Sequence, residues 1–291
     1  MAGATPEMAA GEVAAGEVAL PKWHSGGVTE LIVPRRFCGP PDSGNGGWTA
    51  GALATTLACE PGDHVDHWPT IEVSLRQPPP LDAAMDVVAG DDDTSTASFS
   101  GVVIATARRA SGTTPTPVEG VDPDVARAAE AAYPGHAFHP FPTCFACGTG
   151  REEGDGLRIF PGPVEPFGDD QQRVAATWTP HRSVSEDFHT YADEAPRASV
   201  AATWAALDCI GGWAGDLTER LMVLGRMTAR IDTLPVIGEE HVVVGAKRGQ
   251  DGRKTFTAAT LHDADGRVVA TAEHIWIAVD PALFGGRRPS D

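Results

Sequence analysis

The stretch from Ser199 to Trp213, SVAATWAALDCIGGW, decides the fold, because an earlier stretch from Asn45 to Cys59, NGGWTAGALATTLAC, lays out the same pattern. In the later copy Val200, Trp204, Leu207 and Gly211 fall at i, i+4, i+7 and i+11, the apolar stripe of a helix. Trp48, Ala52 and Cys59 do the same in the earlier one, with Leu53 and Leu57 beside them. Three further blocks match in the same order. VTELIVPRR (Val28 to Arg36) parallels VAATWTPHR (Val174 to Arg182), and IEVSLRQPPPL (Ile71 to Leu81) parallels MTARIDTLPVI (Met227 to Ile237). GVVIATA (Gly101 to Ala107) parallels GRVVATA (Gly266 to Ala272), identical at five of seven positions. The offsets grow from 146 through 154 and 156 to 165, so insertions accumulate in the loops of the second copy while the order holds. The sequence repeats itself.

Around each helix the apolar period changes from 3.6 to 2. Ile71, Val73 and Leu75 alternate with Glu72, Ser74 and Arg76, and Met227, Ala229 and Ile231 alternate with Thr228 and Arg230, the pattern of half-buried strands. Val242 to Lys247, Lys254 to His262 and Arg267 to Val279 read as further strands, joined by turns at Gln250-Asp251-Gly252 and Asp265-Gly266. One helix followed by an antiparallel meander is α+β, since the helix must bury its stripe on the sheet.

The length of 291 residues suits two domains. Residues 1–22 are Ala/Gly/Glu-rich and read as a mobile tail. The N-terminal unit is 23–110, a linker runs over 111–140, and the C-terminal unit is 141–284. In the linker Asp122 and Pro123 supply an N-cap and a first-turn proline for a short helix reaching Ala132. With 40 acidic side chains against 22 Lys and Arg, a net charge of −18 repels a polyphosphate backbone, so no nucleic acid is expected as partner. No membrane span is expected either, because the least polar run, Val200 to Gly215, is short and holds Asp208. The acidic N-terminus is unlike a signal peptide, and five cysteines suit reduced thiols, which points to the cytoplasm.

At CFACGTGREEGDGLRIFPGP (Cys144 to Pro163) the second copy resembles the hotdog-fold acyl-CoA thioesterases of the phenylacetate-pathway and hydroxybenzoyl-CoA type, with their Cys-x-x-Cys-Gly lead into a Gly-Leu-Arg strand. The resemblance covers about 28–110 and 142–280. It implies a double hotdog: two antiparallel sheets, each wrapped around one central helix and related by a pseudo-twofold. It also implies a His-Gly-Gly at the helix start and an acid nine residues after the His. Here Asn45 stands in the His position of copy one, followed by Gly46 and Gly47, while its acid position is Ala54, beside Thr55. Copy two keeps the acid as Asp208 but opens with Ser199-Val200-Ala201. Each copy has lost the opposite half of the site.

In the family the helix start of one protomer meets the acid of the other. The resemblance therefore implies one composite site, at which the helix start at Asn45, Gly46 and Gly47 polarises a thioester carbonyl and Asp208 serves as base or nucleophile. Trp48 and Ser199 are the expected substrate contacts, and Arg36, Arg182 and Arg197 the candidates for coenzyme A phosphates. Hydrolysis of an acyl-CoA is the leading expectation. A silent acyl-CoA-binding protein is the first alternative. An enoyl-CoA hydratase or dehydratase, which needs an Asp and a His opening its helix, is the second. No cofactor is expected beyond the coenzyme A of the substrate, and a homodimer is expected through surfaces other than the joined edges.

Other groups carry weaker chemical signals. Cys144 and Cys147 lack a second cysteine pair, and His136 and His139 precede them rather than follow at ligand spacing, so small buried residues in a turn is the preferred reading and no metal is expected. His64, His67 and His189 lie in loops. Glu186, Asp187, Asp193 and Glu194 are reserve acids in the loop from Ser183 to Ala198.

Overall fold

The computed structural model describes residues 28–58, 68–91, 93–110, 112–167, 171–186 and 193–284. The N-terminal Ala/Gly/Glu stretch, Cys59, His64, His67, Asp187 and His189 lie outside them.

The first half comprises β1 (Val28–Ile32), helix α1 (Gly46–Ala58), β2 (Ile71–Leu75), β3 (Ala84–Gly90), β4 (Thr94–Phe99) and β5 (Val102–Arg109). The connecting helix α2 (Pro123–Ala129) begins where expected: the Asp122 side chain accepts the Asp124 N–H, and a 3-10 turn carries it on through Ala132. The second half comprises β6 (Gly162–Phe167), β7 (Gln171–Trp178), helix α3 (Val200–Ala214), β8 (Met222–Ile231), β9 (His241–Asp251), β10 (Lys254–His262) and β11 (Val268–Ala278).

The expectation of two sheets is corrected. The eleven strands of the described residues form one sheet in the order β1-β3-β4-β5-β2-β8-β11-β10-β9-β7-β6, and every neighbouring pair is antiparallel. β2 and β8 would each end a separate sheet with a row of open N–H and C=O groups; pairing them satisfies both rows. Ile71 lies opposite Ala229 and Val73 opposite Met227. From that seam outward, the two halves place their strands in the same order. The registers also correspond: Ile71 faces Arg109 and Val73 faces Ala107 in one half, while Met227 faces His274 and Ala229 faces Ala272 in the other.

Helix α1 packs on β2, β4 and β5, helix α3 packs on β9, β10 and β11, and the two helices pack on each other. They run antiparallel at a distance that glycine alone permits. A Cβ on Gly47 would stand 2.4 Å from Asp208 Cβ and 2.8 Å from Trp204 O, and one on Gly51 would stand 2.7 Å from Trp204 Cβ. Every residue of α3 is buried, so the stripe seen in its sequence is part of a helix covered on all sides. In β9, alternate residues serve two cores. Val243 joins the main core under α3, and Val242 and Val244 join a smaller one with Val118 and Ala126 of the connecting segment. In the first half Val88, Phe99, Val102 and Val103 are exposed.

One expected strand is absent. Gly156-Leu157-Arg158 runs as coil beside the Cys144–Cys147 turn, where the Leu157 N–H donates to Phe145 O and the Ile159 N–H to Ala146 O. Arg158 takes a positive φ of 55°, which a strand does not allow.

Candidate active site

The N-terminus of α1 is built by Asn45. Its Oδ1 accepts the Trp48 N–H at 2.8 Å, an N-cap bond, and its own N–H donates to Phe37 O. Its Nδ2 lies 3.7 Å from both Cys144 Sγ and Cys209 Sγ, so the cap side chain is held on both edges. The Gly47 N–H donates to Asp208 Oδ2 at 2.8 Å, which brings the acid of the second half onto the helix start of the first. Gly46 is the helix residue whose N–H donates to no described residue, and it lines a cavity.

Asp208 is 2% exposed. Burial pushes its carboxyl up to about 7, against the opposing pull of the Gly47 N–H; the nearby Cys144 raises it and Asn45 lowers it. The second carboxyl oxygen, Oδ1, is buried without a hydrogen-bond partner. Asp208 and Gly46 line the same cavity of about 340 Å³, together with Asn45. Its walls draw on both halves, with Leu75 and Pro79 from the first and Met222, Leu224 and Trp276 from the second. A largely apolar cavity with a few convergent polar groups is the usual form of a small-molecule site.

Three thiols meet at the same place. The Sγ atoms of Cys144, Cys147 and Cys209 all lie within 4.8 Å of one another, and Cys144 and Cys209 are 3.6 Å apart. His139 Nε2 stands 3.3 Å from Cys147 Sγ. All four residues line the cavity. Hydrogen bonds from Cys147 and Cys209 hold the Cys144 thiol well below the usual range; burial pushes Cys147 up, and the bond to Cys144 pushes Cys209 up. Burial lowers His139.

The structure therefore brings Asn45, Gly46, Gly47 and Asp208 together and leaves the other expected contacts elsewhere. Trp48 points into the core, stacked on Phe37 with ring centroids 4.3 Å apart, and is not among the cavity-lining residues. Ser199 caps α3, its Oγ accepting the Ala202 N–H. Arg36 donates to the backbone oxygens of Gly154, Asp155 and Ser183, so its guanidinium ties the two halves together. Arg197 bonds Leu234 O and Asp193, which also engages that reserve acid. Arg182 is exposed and opens a 3-10 turn away from the cavity. The arginine that lines the cavity is Arg76. It closes the alternation of β2, and no motif marks it.

No protein-family profile and no curated protein matches the chain. Solved structures do. A conserved protein of unknown function with a hot dog fold from Alicyclobacillus acidocaldarius matches with a TM-score of 0.56 at 14% identity, over 89% of this chain and 96% of that one. The fold is a hot dog fold. The hot dog neighbours include a tesB protein of Mycobacterium avium subs paratuberculosis, TM-score 0.52 at 13% identity over 87% of this chain and 93% of that one. An acyl-CoA thioesterase II, TesB2, from Mycobacterium marinum matches at 0.52 and 12%, over 90% and 97%. Among the described residues of this hot dog chain, no helix is long and apolar enough to cross a membrane.

Proposed function

We propose that this chain is a double hotdog acyl-CoA thioesterase with one composite site between its halves. The observation that carries the proposal is the Gly47 N–H to Asp208 bond, which sets the acid of one half against the helix start of the other beside a cavity. The pseudo-twofold is supported by self-complementary pairing. Exchanging the corresponding residues Ile71 with Met227 and Val73 with Ala229 turns each seam pair into the other, as an isologous contact requires.

In this reading the unpaired Gly46 N–H, at the positive end of α1, donates to the thioester carbonyl oxygen. Gly47 pins Asp208 Oδ2, leaving Oδ1 to take a proton from water. The hydroxide carbon–oxygen bond forms, the carbonyl oxygen becomes an oxyanion, and its collapse expels the coenzyme A thiolate, which takes up the proton from Asp208. Arg76 replaces Arg36, Arg182 and Arg197 as the candidate for a coenzyme A phosphate. The same reading takes the chain as a cytoplasmic homodimer. One observation favours the silent binder: Asp208 already occupies the Gly47 N–H, a donor that the family arrangement would offer to substrate. Release of free thiol from a panel of acyl-CoAs separates the two readings. Turnover supports the thioesterase, and saturable binding without thiol release supports the binder.

A further inference from the structure

Cys144, Cys147 and Cys209 converge on the cavity from two segments more than 60 residues apart in sequence, and nothing in the hydrolytic reading uses a thiol. We propose that these three cysteines form a zinc site, three thiolates with a fourth position open to the cavity. The inference stands independently of whether the chain hydrolyses thioesters.

The geometry fits a single small ion. Sulfurs bound to one tetrahedral zinc at about 2.3 Å stand about 3.8 Å apart. Cys144 and Cys209 are 3.6 Å apart, and all three sulfurs fall within 4.8 Å. The chelating turn is already formed. Gly148 donates its N–H to Cys144 O, and a Cβ there would stand 2.5 Å from both Cys144 O and Pro142 O, so the tight Cys-x-x-Cys-Gly turn needs its glycine. The third sulfur comes from a fully buried helix, which fixes its position.

Each sulfur also has an N–H donor. Asn45 Nδ2 lies 3.7 Å from Cys144 Sγ and Cys209 Sγ. The Phe141 N–H donates to His139 Nδ1 at 2.9 Å, so a neutral ring carries its proton on Nε2, 3.3 Å from Cys147 Sγ. That proton assignment makes His139 a donor toward Cys147, whose backbone oxygen lies at 3.1 Å and Sγ at 3.3 Å, rather than a fourth ligand. Donors of this kind around ligating atoms tune and orient them. Three thiolates, soft ligands in a tetrahedral arrangement, select zinc among the common divalent ions. Three protein ligands leave a position for water or for an incoming thiol, the pattern of an open rather than a closed zinc site.

The test uses the full chain, purified without chelator and with any histidine tag removed. Metal analysis should find one zinc per chain. Exchange with cobalt(II) should give thiolate-to-cobalt charge-transfer absorption in the near ultraviolet and the intense visible bands of tetrahedral cobalt. Coenzyme A should shift those visible bands, and its desulfo analogue should not. His139→Ala should keep the cobalt spectrum and bind about 10- to 100-fold more weakly, whereas Cys147→Ser and Cys209→Ser should each lose charge-transfer intensity. If those variants do not fold, the wild-type metal content and cobalt spectrum decide alone. Wild-type protein that takes up neither zinc nor cobalt overturns the proposal. So does a Cys144–Cys209 disulfide in protein isolated without reductant. Loss of tetrahedral cobalt in folded His139→Ala overturns the three-thiolate assignment.

Discussion

Helices α1 and α3 hold corresponding places in one sheet, pack on each other through Gly47 and Gly51, and differ in what they bring to each other's ends. The start of α1 has an Asn45 cap, two glycines and the Asp208 carboxylate across from it. At the start of α3, Ser199 is the cap, and the position corresponding to Asp208 is the methyl of Ala54. The far ends differ as well. In the first half an exposed Arg109 donates to Leu57 O near the end of α1; in the second the buried His274 holds that place in register and bonds Thr257. Strands in the same order and register thus carry unlike chemistry. The asymmetry is written in four or five side chains.

The comparison breaks first at Asp208. Asp208→Asn keeps the shape and the Gly47 bond but removes the base, so thiol release from the best acyl-CoA should fall at least about 100-fold. Equal losses on replacing Ser199 and Thr55 would mean that both helix starts work.

The buried His274 gives the next largest effect. Burial lowers it from 6.5 to about 4, so the unfolded chain binds a proton that the folded chain refuses. Its contribution is intact above pH 6.5 and is lost as pH falls toward 4, up to about 3 kcal/mol at the acid end. Asp208, raised to about 7, titrates in the opposite sense over the same window. The measurement is therefore the difference in denaturant stability between wild type and His274→Gln from pH 7 to 4.5. The variant should gain on wild type as pH falls. A constant difference would contradict the assignment.

Gly51→Ala tests how closely the helices approach. The added methyl meets Trp204 Cβ and Ala201 Cα, and the expected destabilisation is about 2 kcal/mol in chemical denaturation. A neutral result would show that the helices can separate freely. The smallest effect belongs to Ser199→Ala, which removes one cap bond. It should lower stability by about 1 kcal/mol and leave thiol release unchanged.

Much of this was legible in the sequence. The strand from Ile71 to Leu75 follows from alternation, the strand from Lys254 to His262 from the turns that bound it, and the cap at Asp122 from local turn chemistry. The meeting of Asp208 with the start of α1 followed from the offsets of the repeat and the family resemblance together. The resemblance implied joined edges but not that β2 and β8 make the seam, because edge pairing uses backbone groups that every residue has. Trp48 looked like a substrate contact by its place after the glycines, yet its ring is taken by Phe37. Arg36 and Arg197 looked available for phosphate, but backbone carbonyls brought from distant segments engage them. The thiol cluster was hidden for the same reason. Cys209 is far from the Cys144–Cys147 turn in sequence, and nothing local in α3 marks it as a partner.

The central claim, one composite site at the start of α1, is tested most directly by a crystal structure with a non-hydrolysable thioether or ketone analogue of an acyl-CoA. The account predicts one analogue per chain, its carbonyl or equivalent oxygen within hydrogen-bond reach of the Gly46 N–H and the reacting carbon facing Asp208 Oδ1. An analogue seated at the Ser199 end of α3, or two analogues per chain in equivalent poses, would contradict it.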